Sequence, residues 1–287
     1  MSFNGWLNIY KEPDITSHDV VAKVRRVLKF KKVGHAGTLD PMATGVMVVA
    51  LGKATRLIRF LKEVKTYKAE VFLGITTDTL DAKGKITSEN EVKVTENQIQ
   101  EIVKKYIGII EQIPPMYSAI QKDGKRLYEL ARNGIEIERE KRTIEIYDIK
   151  ILSYNLPKFE IEVFCQSGTY IRTLADDIGK DLGCGAHLSK LERTNANNFL
   201  LENSLKIEDL SLDNINEKLI NMQEPINYLE KLILDDEEAF RYSNGQRLRK
   251  KELKKDDFIV VKNKKNDLLG IAKVENNILI PEVNFSS

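Results

Sequence analysis

The chain is poor in the residues that mark secreted, metal-binding or membrane-embedded proteins. It has two cysteines and three histidines among 287 residues. Cys165 and Cys184 are far apart and form no Cys-x-x-Cys pair, which argues against a disulfide framework or a zinc site. No apolar run has membrane-spanning length, and residues 1–10 lack the basic-then-apolar pattern of a secretion signal. We therefore expect a cytoplasmic protein with no membrane partner and no bound metal.

Net charge is also small, at +2, so overall charge does not indicate a nucleic-acid-binding protein. The distribution of charge is more informative. A cation cluster that gathers on a phosphate backbone gains affinity by releasing counterions. Either cluster alone is equally consistent with a solvated helix face, but two in different regions favour RNA. The first cluster is Lys23, Arg25, Arg26, Lys29, Lys31 and Lys32, and the second is Arg247, Arg249, Lys250, Lys251, Lys254 and Lys255.

Hydrophobic periodicity predicts helices alternating with strands. Helices are expected from Ser17 to Leu28 with Ser17 as the cap, from Thr95 onward, and over 173–182, closed by Gly183. Strands are expected at 46–51, 68–73, 144–152 and 159–165. Between 122 and 142 the chain is polar, with a helix around 127–132. After a boundary at about 225–234, short apolar runs at 258–261, 268–272 and 278–280 predict a small β-barrel or sandwich.

The most informative stretch is Gly-His-Ala-Gly-Thr-Leu-Asp-Pro-Met-Ala-Thr-Gly at 34–45, which holds a single carboxylate, Asp40. Pro41 pushes Asp40 out of helical geometry. Gly34, Gly37 and Gly45 permit positive φ or a close approach of the backbone to another molecule. An apolar strand directly behind the loop anchors it, as catalytic loops are usually anchored. On spacing alone, however, a surface turn capped by Asp40 is the commoner explanation.

This loop resembles the catalytic loop of the tRNA pseudouridine synthase B family. Other segments resemble that family's motifs in the same order along the chain. Ala36, where relatives often carry threonine, is a small departure. The matching segments are Lys-Glu-Pro at 11–13 with Thr-Ser at 16–17, Lys-Thr-Tyr-Lys-Ala at 65–69, Gly-Ile-Thr-Thr-Asp-Thr-Leu-Asp at 74–81, residues 114–128 beginning Pro-Pro-Met-Tyr-Ser, Gly-Thr-Tyr-Ile-Arg-Thr-Leu at 168–174, and Leu-Ser-Lys-Leu-Glu-Arg-Thr at 188–194.

The resemblance implies an α+β fold with two domains. Residues 1–230 would form the pseudouridine synthase catalytic domain, a mixed and mainly antiparallel sheet flanked by helices, with an RNA-clamping insertion at about 114–142. Residues 231–287 would form a small C-terminal β-barrel of the PUA-like RNA-binding type, in which 240–248 resembles the Asn-Gly-Gln segment.

The resemblance further implies an isomerase that converts the T-loop uridine at position 55 of tRNA to pseudouridine by base flipping. The reaction breaks the N1–C1′ bond, rotates the uracil and joins C5 to C1′. It is redox-neutral, so no cofactor is expected. The implied partner is the T-arm of tRNA, with no protein partner required, and we expect a monomer.

Asp40 would be the nucleophile, acting at C1′ or at the uracil ring. The family assigns Arg172 as its charge partner, and an adjacent arginine should hold the pKa of Asp40 down. Tyr67 would stack on the uracil and serve as, or assist, the base that removes the C5 proton. Without the resemblance, Arg172 reads as a structural ion pair and Tyr67 as a core residue.

Four further residues are expected at the substrate site. Tyr170 and Leu191 match family positions that contact the target nucleotide, although Leu191 is equally suited to a core position. His35 would take part in base flipping by filling the space that the extruded uridine leaves. Lys11 is expected beside them as a structural or electrostatic support.

Two alternatives stay open from the sequence. The chain is a non-catalytic protein that binds or folds tRNA, or it is a pseudouridine synthase that acts on another RNA, as guide-dependent relatives do. The combination of Asp40, Tyr67 and Arg172 argues against the first, because a pure binding protein needs no nucleophile. The continuous clamp region favours direct tRNA recognition over the second.

Overall fold

The structure is a computed structural model that describes residues 3–122, 124–250, 253 and 257–285. Three members of the second basic cluster, Lys251, Lys254 and Lys255, lie outside the described residues.

Strands dominate the described part of the chain. They are β1 (Gly5–Lys11), β2 (Val33–Ala36), β3 (Thr44–Leu51), β4 (Val64–Leu73), β5 (Ile75–Thr77), β6 (Ile86–Glu89), β7 (Gly108–Gln112), β8 (Gln121–Lys122), β9 (Lys125–Arg126), β10 (Arg142–Asn155), β11 (Lys158–Gln166), β12 (Ala186–Ala196), β13 (Phe199–Leu200), β14 (Lys231–Leu234), β15 (Leu248–Arg249), β16 (Phe258–Asn263), β17 (Leu268–Glu275) and β18 (Ile278–Asn284).

The α-helices of the described residues are short and lie between these strands. They are α1 (Ser17–Leu28), α2 (Glu96–Lys104), α3 (Leu127–Arg132), α4 (Ile171–Asp181), α5 (Ile215–Lys218) and α6 (Asp236–Ser243), with 3-10 helices at Gly52–Phe60, Leu201–Asn203, Ile207–Asp209 and Glu224–Ile226. No helix in the described ranges is both long and apolar enough to cross a membrane.

The main sheet is mixed and mainly antiparallel, as the resemblance implied. Its strands follow the order β1-β3-β12-β4-β11-β10-β7, with β2 paired to β3 and β13 paired to β12. The one parallel pairing within it joins β12 to β3, over the described residues. A second sheet has the order β14-β16-β17-β18-β15 and contains the three strands expected in the C-terminal region.

Helix α1 spans the predicted residues, but its predicted cap is wrong. The N-cap is Thr16, whose side chain accepts a hydrogen bond from the backbone N–H of Asp19, and Asp19 reciprocates in a capping box. Ser17 is the first helical residue and is buried, with its hydroxyl committed to Leu39. Ser17 therefore stabilises the loop that carries Asp40 instead of capping the helix.

Helix α4 begins at Ile171, two residues before the predicted start, and ends near Gly183, which adopts φ +77° as a helix-closing glycine should. Its inner face and that of α2 cover one side of the main sheet. Strand β4 alternates buried and exposed residues, with Tyr67, Ala69 and Val71 in this core. Arg172 is the second residue of α4 and is buried, so its side chain lies on the side of the sheet that α4 covers.

The second sheet packs against the 3-10 helix Gly52–Phe60 that follows β3. Phe60 and Phe258 meet edge to face with ring centroids 5.1 Å apart. Lys53 and Arg59 add polar contacts across this junction, Lys53 to the Phe285 carbonyl and Arg59 to the Glu282 carboxylate at 2.6 Å.

Candidate active site

The loop that carries Asp40 lies where strand β3 changes neighbours. One edge of β3 pairs with β2 from Val48 to Leu51 and with β12 at Thr44 and Gly45. Residues 37–43 leave the end of β2 and return into β3 between these two pairings. The loop therefore opens at a gap in the sheet, and its backbone groups need partners from elsewhere.

The Asp40 side of the loop is held by residues from the N-terminal segment. The Ser17 hydroxyl accepts from the Leu39 N–H at 2.8 Å and donates to the Leu39 carbonyl, and the Asp14 N–H donates to the Pro41 carbonyl. The Lys11 ammonium is fully buried and donates to the carbonyls of Pro41 and Ala43, at 3.0 and 2.6 Å. The structure thus places Lys11 behind the loop as a support, and burial lowers its pKa to about 8.

Arg193 holds the other side of the loop. Its side chain has no solvent exposure, and its guanidinium donates to the carbonyls of Val46, Gly37 and Thr38 at 2.8, 3.2 and 3.4 Å. It fills the gap between the two pairings of β3. Sequence reasoning missed this role, although Arg193 lies inside the matched segment 188–194, because a charged residue in a strand ordinarily indicates an exposed position.

Gly45 makes this arrangement possible. It adopts φ +100°, and a Cβ there would lie 2.3 Å from the carbonyl oxygen of Arg193. Gly37 also has positive φ, at +86°, whereas Gly34 has ordinary geometry. Two of the three glycines therefore serve the turn as expected.

Asp40 and Arg172 meet in a two-point contact. Arg172 Nη2 donates to Asp40 Oδ1 at 2.9 Å, and Nε lies 2.9 Å from Oδ2 as an ion-pair contact whose N–H is not directed at the oxygen. The guanidinium side chain is 4% exposed and the carboxylate side chain 31% exposed. Arg172 thus reaches Asp40 from the core, while the carboxylate keeps an accessible side.

The expectation that the pKa of Asp40 is lowered is wrong. Burial raises the pKa of Asp40 above its ordinary value, and the Arg172 charge, which lowers it, does not fully compensate. The nearby Asp81 carboxylate raises it further. Asp81 was missed by sequence reasoning; its Oδ2 lies 3.7 Å from Arg172 Nη1. Arg172 therefore serves two carboxylates and not one.

Tyr67 lies in the same core as Leu39 and Ala43 of the loop. Burial raises its pKa to about 12, and Arg193, its direct cross-strand neighbour, lowers the value only in part. A phenolate is therefore rare near neutral pH. The position suits stacking, and any proton transfer by Tyr67 would involve the neutral phenol.

Tyr170 and Leu191 border the same region. Tyr170 precedes α4, and both backbone groups of Tyr170 pair with the side chain of Gln112: the Tyr170 N–H donates to Gln112 at 2.8 Å, and the Gln112 amide donates back at 3.0 Å. Gln112 is 3% exposed and was also missed by sequence reasoning. Leu191 is buried in the cluster that includes Tyr67.

His35 lies apart from this group, at the opposite end of the loop. It belongs to β2, its Nδ1 is buried without a hydrogen-bond partner among the described residues, and burial lowers its pKa. The structure therefore brings together Asp40, Arg172, Tyr67 and Tyr170, with Leu191 beside them, and separates Lys11 and His35 to the back and the far end of the loop.

The start of the clamp insertion closes over Arg172. The Tyr117 carbonyl accepts from Arg172 Nη2 at 2.8 Å, and Thr173 donates to the Ile113 carbonyl at 3.4 Å. Met116 is buried beneath this segment. Helix α3 occupies the predicted residues 127–132 within the insertion.

The first basic cluster flanks the loop as a solvated surface. All six of its cations are exposed, on and just after α1, and Arg25 additionally donates to the Val33 carbonyl. Of the second cluster, Arg247 and Arg249 are exposed in the described part.

Known proteins match most of the length of this chain. Residues 25–171 match the model for "TruB family pseudouridylate synthase (N terminal domain)", and residues 172–241 match the "tRNA pseudouridylate synthase B C-terminal domain". The chain is 44% identical over 277 residues to tRNA pseudouridine synthase B of Clostridium tetani, covering 96% of this chain and 94% of that one. It is 47% identical over 247 residues to the protein of the same name from Alkaliphilus oremlandii, covering 85% and 83%.

Solved structures give the same picture of the fold. A chain of a Cbf5-Nop10-Gar1 complex superposes with a TM-score of 0.75 at 27% identity, covering 98% of this chain and 84% of that one. A chain of an H/ACA RNP bound to a substrate RNA containing 2′-deoxyuridine superposes with a TM-score of 0.73 at 26% identity, with the same coverage.

Proposed function

Because the chain belongs to the TruB family of pseudouridylate synthases, we propose that it isomerises the T-loop uridine at position 55 of tRNA with Asp40 as the nucleophile. The chain is an isomerase that converts uridine in tRNA to pseudouridine, like the curated relatives that it matches over most of its length. The specific uridine and the roles of the residues are the proposal.

The contact between Asp40 and Arg172 carries the proposal. The carboxylate is oriented by a guanidinium that comes from a different element and from the core, while one side of the carboxylate is accessible. Such a fixed but accessible anion suits attack on the flipped nucleotide, at C1′ or on the uracil ring. Attack and bond breakage at N1–C1′ leave the uracil free to turn before C5 joins C1′.

Neighbouring side chains supply the rest of the pocket. Tyr67 and Leu191 offer an apolar wall for the extruded uracil, and Tyr170 borders it on the α4 side. The raised pKa of Tyr67 supports a stacking role. The neutral phenol can relay the C5 proton only if it gives up its own O–H proton to another acceptor as it takes the new one. His35 would fill the gap that the flipped base leaves in the RNA.

The decisive experiment uses an unmodified tRNA transcript and the purified chain. Pseudouridine, mapped by chemical labelling, is expected at position 55 with wild-type protein and is expected to be absent with Asp40→Asn, which keeps the side-chain shape. Binding of the transcript by Asp40→Asn should survive, because the variant removes the nucleophile and not the RNA-binding surface. Turnover by Asp40→Asn would refute the assigned nucleophile.

The same assay separates direct recognition from guide-dependent recognition. Guide-dependent recognition is the alternative to test, because this chain resembles chains of H/ACA complexes, which contain additional components. We propose that this chain needs no protein partner and works as a monomer. Activity on bare tRNA supports that proposal, and activity only after addition of a cell extract contradicts it.

We also propose a catalytic domain over 1–230, with the clamp insertion at about 114–142, and a PUA-like RNA-binding domain over 231–287. Strand β14 starts at Lys231 and pairs in parallel with β16 of the second sheet, which supports a boundary at that point. The exposed cations Arg247 and Arg249 support an RNA-binding role for this region.

A further inference from the structure

Lys65 is a buried lysine that the mechanism above does not use. It lies two residues before Tyr67 on β4 and is only 7% exposed. Its ammonium group makes no hydrogen bond or ion pair in the described part of the chain, and Nζ is not one of the fully enclosed polar atoms there, so it remains accessible to a ligand. A mostly buried cation without a partner is costly to the fold, so its presence needs a reason.

The ammonium of Lys65 points at the loop that carries Asp40. A Cβ on Gly37 would lie 2.9 Å from Lys65 Nζ and 3.5 Å from an Arg193 guanidinium nitrogen. His35 lies two residues from the same glycine and interacts with its backbone, while its Nδ1 is enclosed by protein. Among the described residues, the group left without a partner at the backbone of Gly37 is therefore the Lys65 ammonium.

The groups around Lys65 leave its positive charge without a neutralising anion among the described residues. Arg193 carries a like charge, and Cys165 has a pKa raised by burial to about 11, so it is a neutral thiol near neutral pH. The nearest acidic influence is Glu63, which is exposed and makes no ion pair with Lys65 among the described residues. Burial lowers the pKa of Lys65 to about 8, and an anionic ligand would restore the charged form.

The position of Lys65 along β4 favours a phosphate as the anion. Residues two apart on a strand are separated by about 6.6 Å, so a ligand of Lys65 lies beside the wall that Tyr67 is proposed to form for the uracil. In an RNA strand, the negatively charged group beside a base is the backbone phosphate.

We propose that Lys65, beside the Gly37 backbone, binds one phosphate of the RNA strand next to the flipped uridine. This inference rests on the proposed function, because it requires RNA in the Asp40 pocket. The phosphate contact fixes the strand on one side of the target while the base turns into the pocket.

The test combines a protein variant with a neutralised phosphate. T-arm stem-loops are prepared with a single methylphosphonate at each phosphate flanking the target uridine in turn. Dissociation constants are measured by fluorescence anisotropy in an Asp40→Asn background, which prevents turnover. Lys65→Met is compared with Lys150→Met, an exposed lysine of β10 in the same sheet.

We expect Lys65→Met to weaken binding of the unmodified stem-loop about tenfold, as loss of a charge-assisted hydrogen bond does, and Lys150→Met to leave it unchanged. One methylphosphonate should weaken binding to wild-type Lys65 by a similar factor and have little effect on Lys65→Met. The slope of log Kd against log salt should fall by about 0.7 to 0.9 for Lys65→Met.

Each other outcome counts against the site. If every methylphosphonate weakens binding equally in the proteins with Lys65 and with Lys65→Met, the phosphate assignment is overturned. If Lys65→Met leaves Kd unchanged but lowers the single-turnover rate of the protein with intact Asp40, Lys65 acts on the uracil instead. Thermal melting checks folding, with Lys65→Gln as the second neutral variant. If the wild-type protein makes no pseudouridine in the same stem-loop, the proposed function has failed. If the protein is active but the Lys65 substitution and the methylphosphonate weaken binding independently, only the phosphate site has failed.

Discussion

Arg172 and Asp40 touch at two points, although they lie 132 residues apart in the chain. The guanidinium comes from the first turn of α4 and the carboxylate from the loop between β2 and β3. Arg172 Nη2 also donates to the Tyr117 carbonyl of the clamp insertion. One side chain thus joins Asp40, a helix and the insertion, so the alignment of Asp40 depends on all three.

Arg172→Lys should separate orientation from charge. The lysine keeps a positive charge but cannot make a two-point contact with a carboxylate and reach the Tyr117 carbonyl together. We expect the single-turnover rate to fall by roughly 10²-fold, the cost of a small misplacement of a reacting group, with RNA affinity within a few-fold of wild type. Arg241→Lys, an exposed position on α6, is the control. A full rate in Arg172→Lys would show that charge alone suffices.

The pH dependence of the reaction should depend on Asp81. Asp40 must be ionised to act, and its pKa is raised by burial, against the effect of Arg172, so the rate should fall with acid at a pH above the ordinary carboxyl value of 3.8. The Asp81 charge raises this pKa further, so Asp81→Asn should move the acid limb of the single-turnover profile to lower pH. Asp177→Asn, on the same helix as Arg172, should leave it in place. A limb that stays put or moves up in Asp81→Asn contradicts the assignment.

Gln112 should act as a positioning residue for α4. Its side chain pairs with both backbone groups of Tyr170, two residues before Arg172. In Gln112→Glu the acceptor for the Tyr170 N–H remains, but the donor to the Tyr170 carbonyl is lost, at a cost of about 1–3 kcal/mol for a buried unsatisfied group. We expect a rate decrease of about tenfold or more with a nearly unchanged KM. The control is Gln100→Glu, the same substitution at an exposed position on α2, which should leave the rate unchanged. A higher KM with an unchanged rate in Gln112→Glu would contradict the positioning role.

Gly45→Ala should be far more harmful than Gly108→Ala, although the two glycines share similar φ angles of +100° and +108°. Positive φ alone costs a non-glycine residue about 1–2 kcal/mol. At Gly108 nothing lies within 4 Å of the added Cβ, whereas at Gly45 the Arg193 carbonyl lies 2.3 Å away. In thermal unfolding, we expect Gly108→Ala to lower the stability only by this backbone cost. Gly45→Ala should lower the stability much more and should also lower the activity. Equal losses would mean that β3 and β12 can separate without harm.

Removal of the Lys65 charge should stabilise the fold near neutral pH. Its pKa is about 8 in the folded chain against 10.5 for the free side chain, so the unfolded chain binds more protons between these values. The burial penalty is therefore complete below pH 8 and disappears as pH rises towards 10.5. Chemical unfolding of Lys65→Met should show a gain of up to about 3 kcal/mol at pH 7 that shrinks above pH 8. Lys150→Met should show no such pH-dependent gain.

Local pattern was enough for the regular elements. Helix α1 has the predicted bounds because its apolar residues recur at helical spacing, and α3 was placed correctly inside a polar segment. The cap of α1 was misassigned because Ser17 has a tertiary partner, Leu39, that no local rule reveals. The start of α4 was placed two residues late because Gln112, from a distant strand, satisfies the backbone at Tyr170.

By itself, the sequence determined the fold class and the family, because ordered motifs and periodicity are properties of the linear chain. It also predicted Asp40, Arg172, Tyr67, Tyr170 and Leu191 as site residues, and the structure brings these five together. Only the tertiary structure decided how those residues act. Burial raises the pKa of Asp40 where a neighbouring arginine alone predicts a lower one. Arg193, Gln112 and Asp81 carry ordinary-looking side chains whose importance comes from the carbonyls, amides and charges that they meet across the sheet. Burial and long-range contacts set those energies, and neither can be read from sequence spacing.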